Sequence, residues 1–256
     1  LSIRRQRQMC IRDRDENLRK NKSELIQLRQ VYINREKSVY TLDSGTENYN
    51  IFNAKYSNFQ SEGTKHFYFS NDFQLASSFG KIATEVHYRK LFENNCQISL
   101  RYFFGAFMYR STNSDFFSFG LDRTNDYMFD YNLLGRSEVT GIYSQQYVYA
   151  EGGFKSKLEN RFANQWMSTI NGTINVWNWI QVYGDIGMIK NKHSAPQFVY
   201  DSGLHLNLVP DYFELFLPIY STNGFELNSN NYGEKIRFVV TLSPKTLVSL
   251  FTRKWF

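Results

Sequence analysis

From about His66 onward, apolar and polar residues alternate with a period of two. Ile82, Thr84, Val86 and Tyr88 fall on one side of a strand, with Lys81, Glu85, His87 and Arg89 on the other. Ile98, Leu100, Tyr102, Phe104 and Met108 likewise oppose Gln97, Ser99, Arg101 and Gly105. The pattern returns in Ile180, Val182, Ile186 and Met188 against Trp179, Gln181, Tyr183 and Asp185. It continues in Phe198, Tyr200, Leu204, Leu206 and Leu208 against Asp201, Gly203, His205 and Asn207, and in Ile236 to Leu242 against Lys235, Arg237 and Thr241. Alternation of this kind marks strands, because successive side chains of a strand point to opposite faces. With weaker runs at 49–57, 66–75, 143–153, 164–176 and 211–220, the pattern predicts about eight to ten strands of about ten residues, separated by Asn, Gly, Ser and Asp.

Length separates two all-β readings. Strands of soluble sheets average about 5–6 residues, whereas a tilted strand needs about 9–11 to cross a hydrocarbon core. The expected fold is therefore all-β, an antiparallel transmembrane-type barrel over 63–243. Tyr88, Tyr109, Trp166, Trp177, Trp179 and Tyr220 lie near the expected strand ends, where they read either as interfacial girdles or as core filling.

Three stretches leave the alternation. Residues 15–62 read as a polar connector with a short helix over roughly 22–31, carrying Leu25, Ile26 and Leu28. Ser111 to Glu138 is the longest irregular run, and its aromatics predict a folded loop, extracellular or covering the lumen. At the other end, Ser243-Pro244 reads as a helix start. Leu247, Leu250, Phe251 and Trp255 then keep helical spacing, so 244–256 is expected to be a short amphipathic segment at the membrane surface. A final strand is the other reading of these residues.

Composition agrees with sheets that have one apolar and one wet face. Aromatics make up 18% of the chain, yet its mean hydropathy is -0.50. The first residues change the meaning of the charge. Arg4 to Asp13 follow the translation of a transposase-type sequencing adapter, CGT CGG CAG CGT CAG ATG TGT ATA AGA GAC, so 1–14 are expected to be foreign to the fold. Five arginines and one aspartate lie there, and without them the formal charge of +6 falls to +2. The basicity then no longer argues for nucleic acid. Cys96 remains as a lone cysteine, which excludes an intrachain disulfide. No apolar run reaches the length of a transmembrane helix.

The polar face supplies the candidate site residues. Glu85, His87, Arg89, Arg101, Gln181 and Asp185 are expected to face the lumen, as are Asp201, His205, Asn207, Lys235 and Arg237. Both signs of charge are present where a pore selective for one ion sign would show a bias, so interior charges that pair with one another and plug the barrel are an equal reading. Glu85 with His87, and His205 with Asp201, share faces where a metal could be imagined, but two such polar residues in a barrel are far more often lumen or solvent lining, and no metal site is expected. The sequence has no HExxH arrangement, phosphate-binding glycine loop or nucleophile elbow. Asn223-Gly224 reads as a hairpin turn.

Several segments resemble a known family. They are Phe119-Gly120-Leu121-Asp122-Arg123 through Asp130-Tyr131-Asn132 and Gly135-Arg136-Ser137-Glu138, then Ala150-Glu151-Gly152-Gly153-Phe154-Lys155 and Ala163-Asn164-Gln165-Trp166. Tyr200-Asp201-Ser202-Gly203, Asp211 to Leu215 and Leu250 to Phe256 complete the set. Over roughly 25–256 the chain is similar to the C-terminal region of large Bacteroidota gluzincin-type, aminopeptidase-like zinc metallopeptidases. The resemblance implies a peptidase whose zinc and catalytic residues lie upstream, with no catalytic residue, metal or cofactor carried by this region. The barrel pattern itself gives the expected location, the bacterial outer membrane. Expected partners are outer-membrane lipid, the upstream domain of the same polypeptide and peptide substrates, without nucleic acid. A soluble β-sheet module binding a glycan or protein, and a small-solute porin, are the alternative functions.

Overall fold

The computed structural model describes residues 5–14, 21–35, 47–93, 96–112, 115–131, 140–149, 151–177, 179–209 and 213–240. The strands run β1 (Arg5–Arg14), β2 (Lys22–Asn34), β3 (Asn48–Glu62), β4 (Lys65–Ala76), β5 (Phe79–Leu91) and β6 (Gln97–Arg110). Two short strands, β7 (Phe119–Gly120) and β8 (Phe162–Ala163), pair with each other in a small ribbon apart from the main sheet. The main sheet resumes with β9 (Trp166–Asn175), β10 (Ile180–Lys190), β11 (Gln197–Val209) and β12 (Phe213–Ser221), followed by β13 (Gly224–Phe225) and β14 (Arg237–Val240).

One antiparallel sheet of twelve strands results, each long strand paired to the next in sequence and β9 following β6. Both β13 and β14 pair with β12. Among the described residues no pairing joins the β1 end to β12 or β14, so the sheet is a continuous series and not a closed ring. The free side of β14 is partly covered, because the Tyr147 amide donates to the Phe238 carbonyl at 2.7 Å.

Two expectations are corrected. The helix read over 22–31 is strand β2, and with β3 it carries the main sheet into the stretch read as a connector. Lys22 to Asn34 alternates strictly between exposed and less exposed positions, and β2 pairs with β3 along its whole length. Leu25, Ile26 and Leu28 suit either helix or strand, and the long-range pairing decides. The adapter-like residues Arg5–Arg14 form β1 along β2. A sheet edge offers backbone donors and acceptors to a strand of any sequence. The C-terminal segment 244–256 lies outside the described residues.

The two faces of the sheet differ in an unusual sense. In β10, Gln181, Tyr183, Asp185 and Ile189 are buried, while Val182, Ile186 and Met188 are 45–46% exposed. The same division runs through β6, where Arg101 and Phe103 are buried and Leu100, Tyr102 and Phe104 are exposed. The face carrying most of the polar groups is covered by the chain between β6 and β9. Phe117, Phe119, Leu121, Tyr127, Phe154 and Leu158 from that segment are buried. They pack with Phe79, Phe103, Met167, Ile189 and other sheet residues in two apolar clusters. Described residues of the stretch read as a loop, extracellular or covering the lumen, contribute to this cover.

The connections are also asymmetric. At one end of the sheet they are 15–21, 63–64, 92–96, 176–179 and 210–212, all short. At the other end, 111–165 joins β6 to β9 and 222–236 joins β12 to β14, alongside 35–47, 77–78 and 191–196.

Candidate functional site

The covered face meets the described residues of the 115–163 segment along a polar seam. At its centre Lys155 is fully buried. Its ammonium donates to both carboxylate oxygens of Asp185, at 2.9 and 2.7 Å. The backbone amides of Lys155 and Ser156 donate to Oδ2 of Asp201 on the next strand, at 2.8 and 2.6 Å. Four rings, Tyr147, Tyr149, Tyr183 and Phe216, stand 5.1–5.9 Å from the ammonium. Burial works against the Lys155 charge, but Asp185 and the surrounding tyrosines outweigh it and hold its pKa above the ordinary lysine value.

Arg101 joins this centre to β5. Its Nε donates to Glu85 at 2.6 Å, and one terminal nitrogen donates to the Glu151 carbonyl at 2.5 Å and to Asn171 Oδ1 at 2.9 Å. Asn171 in turn donates to the Gly152 carbonyl and to Asp185. Gly153 sits against this group with φ +74°, and a Cβ there would lie 2.7 Å from Asn171 Oδ1 and 3.0 Å from an Arg101 nitrogen. Gly153→Ala is therefore expected to lose about 1–3 kcal/mol in denaturant unfolding. Gly63→Ala, also at positive φ but with nothing within 4 Å, is the control; equal losses in the two variants would contradict this packing.

Three further joints flank the centre. Lys81 donates to Glu151 at 2.8 Å and to the Tyr127 hydroxyl at 3.1 Å, and that hydroxyl donates to Gln74. Burial raises the Tyr127 pKa and keeps it a donor. Arg29 grips Asp130 with two bonds of 2.8 and 2.6 Å. The third joint is looser, since Arg237 and Asp122 are 3.6 Å apart. Burial raises the Asp122 pKa against the pull of Arg237 and Arg123. In these joints the sheet presents cations to acids of the segment, and Lys155 with Asp185 reverses the sense.

The expected site residues distribute as follows. Glu85, Arg101, Asp185, Asp201 and Arg237 all belong to the seam. His87 bonds Glu85 at 2.8 Å. Gln181 and Glu214 hold His205 at 2.9 and 3.0 Å, with its ring stacked on Phe216. Asn207 lies on the covered face near its end, and Arg89 is exposed near the end of β5. Lys235 closes a 3-10 turn over Tyr232–Lys235 and pairs with Glu226, outside any strand. The alternation inferred through Ile236 breaks there, because the strand begins only at Arg237.

Lys81, Asn171, Asp122, Glu151 and Lys155 were not among the expected site residues. A signal existed for Lys155, a lone cation after two glycines and a phenylalanine in 152–155. Chemically, the seam cross-links segment and sheet. No group of three or more His, Cys, Asp or Glu among the described residues is arranged to hold a metal. A scan against protein-family models and a search of curated proteins returned no match.

Proposed function

We propose that this chain forms the wall of an outer-membrane β-barrel domain that holds a larger polypeptide at the membrane, its interior filled by the 115–163 segment. The inversion of the two faces carries the reading. A solvated sheet keeps its polar face wet and its apolar face covered, whereas here buried ions face the cover and Ile170, Ile174, Val182, Ile186 and Met188 stay 44–48% exposed. A contiguous apolar surface of this kind marks a partner, and lipid fits a whole sheet face.

Strand length supports the reading, since β2 to β6 and β9 to β12 run 9–15 residues against the about 9–11 that a crossing takes. So do the short connections at one end and long ones at the other. Tyr88, Trp177 and Trp179 are exposed at the first end and Tyr109 and Tyr220 at the second, the positions of two girdles. Ring closure would satisfy the edge donors and acceptors that lipid cannot. By the family resemblance, the anchored domain is a zinc metallopeptidase, its zinc in that domain and its peptide substrates delivered at the membrane surface.

The test is behaviour in detergent and bilayers. The purified chain is expected to require detergent, to migrate faster on gels before heating than after, and to give no steady conductance in planar bilayers. A monodisperse solution in plain buffer would overturn the membrane reading, and regular conductance steps would favour the porin.

A further inference from the structure

We infer that the crevice between the end of β6, the start of β9 and the β10–β11 turn binds the anionic headgroup of a membrane lipid, an inference that rests on the membrane reading. The crevice has a volume of about 520 Å³ and opens where the apolar face meets the end bearing the long connections. Its lining includes the cations Arg110 and Lys192 beside His193, and Asp115, which pairs with Arg110, stands outside the lining. The turn residues 190–197 contain two lysines and a histidine and no acid.

These groups are held in place. Arg110 donates to the carbonyls of Thr112 and Asn164 at 3.1 and 3.2 Å and to the Ser118 hydroxyl at 3.1 Å. Asp115 also accepts from its guanidinium at 3.5 Å, so Arg110 is ion-paired on its far side. The turn is tied to the neighbouring loop, since the Lys192 amide donates to Asn164 Oδ1 at 2.7 Å and the Asn164 amide to Asn191 Oδ1 at 2.8 Å. Lys190 bonds the Ser194 carbonyl within the turn. This pinning presents the exposed Lys192 and His193 at the rim.

The apolar side of the crevice supplies the second half of a lipid site. Met108 is 51% exposed, and Trp166 and Tyr109 also line the opening. The Tyr109 ring lies over Gly80, where a Cβ would come within 2.5 Å of it, and its hydroxyl donates to the Ala76 carbonyl at 2.6 Å. Cations beside amphipathic rings at the edge of an apolar face match a negatively charged headgroup whose acyl chains run down that face.

The test reconstitutes the full chain in phosphatidylcholine nanodiscs containing a minor share of phosphatidylglycerol, and counts retained lipids by native mass spectrometry. Phosphatidylglycerol is expected to be retained over phosphatidylcholine. Lys192→Gln should reduce that retention about fivefold, the worth of one cation near a membrane surface, while Lys90→Gln at the opposite end leaves it unchanged. Equal retention of both lipids, or indifference to Lys192→Gln, in a chain that inserts normally would overturn the lipid site alone. Displacement by millimolar inorganic phosphate would overturn it in favour of a free-anion site. A chain that fails to enter the nanodiscs would overturn the membrane reading and the lipid site together.

Discussion

Lys155→Met is expected to cost about 3–5 kcal/mol of folding free energy, because it removes one partner of a buried pair and strands the other. The Lys155 and Asp185 side chains are 1% and 0% exposed, so water cannot replace the lost ammonium. Asp201 lies beside Asp185 on the next strand, and Lys155 is the cation that bonds Asp185. The double variant Lys155→Met with Asp185→Asn is expected to recover a large part of the loss, since it removes the uncompensated charge as well. Equilibrium denaturant unfolding measures both; a single-variant cost below about 1 kcal/mol would contradict the seam's role. The pH dependence has a defined sign. A lysine whose folded pKa is raised contributes fully below its unfolded value and loses that contribution only as pH rises through the folded value. The Lys155 contribution should therefore be unchanged across neutral pH and fall only in strong alkali.

The faces of the long strands were legible in the sequence because a strand tolerates no drift. A slip of one residue would turn Ile186 inward and Asp185 outward, so the alternation in 180–188 and 198–208 fixes which residues share a face. Residues 22–31 were harder. Both faces of β2 carry apolar groups, Ile26, Leu28 and Tyr32 on the open side and Val31 and Ile33 on the covered side, so no clean two-residue period stands out. The alternation read through Lys235 is interrupted for a local reason, a tight turn that closes one residue before the strand begins at Arg237.

The seam was mostly hidden because its contacts are distant in the chain. Lys155 and Asp185 are 30 residues apart, Lys81 and Glu151 70, and Arg29 and Asp130 101. Periodicity reports what a residue's own element does with it, and it carries no record of which loop folds back onto that element. Mixed charge on one face left internal pairing as one of two equal readings. The partners could not be named, because the segment that supplies them has no period of its own.

Ile186→Arg should separate a lipid-facing sheet from a solvated one by the size of its effect. Ile186 stands near the middle of β10, opposite Ile170 on β9 and Tyr200 on β11, and is 46% exposed. If water covers that face, an arginine there changes stability by no more than about 0.5 kcal/mol. If lipid covers it, a charge near the midplane costs about 2–4 kcal/mol, falling to about 0–1 near the interface. Phe198→Arg supplies the depth comparison, because Phe198 lies on the same face at the start of β11. Unfolding titrations of chains reconstituted in bilayers are expected to give a large loss for Ile186→Arg and a small one for Phe198→Arg. Equal and small losses would return the apolar face to water or to a protein partner. Equal and large losses would place both positions deep in lipid and shift the membrane boundary past the β10–β11 turn.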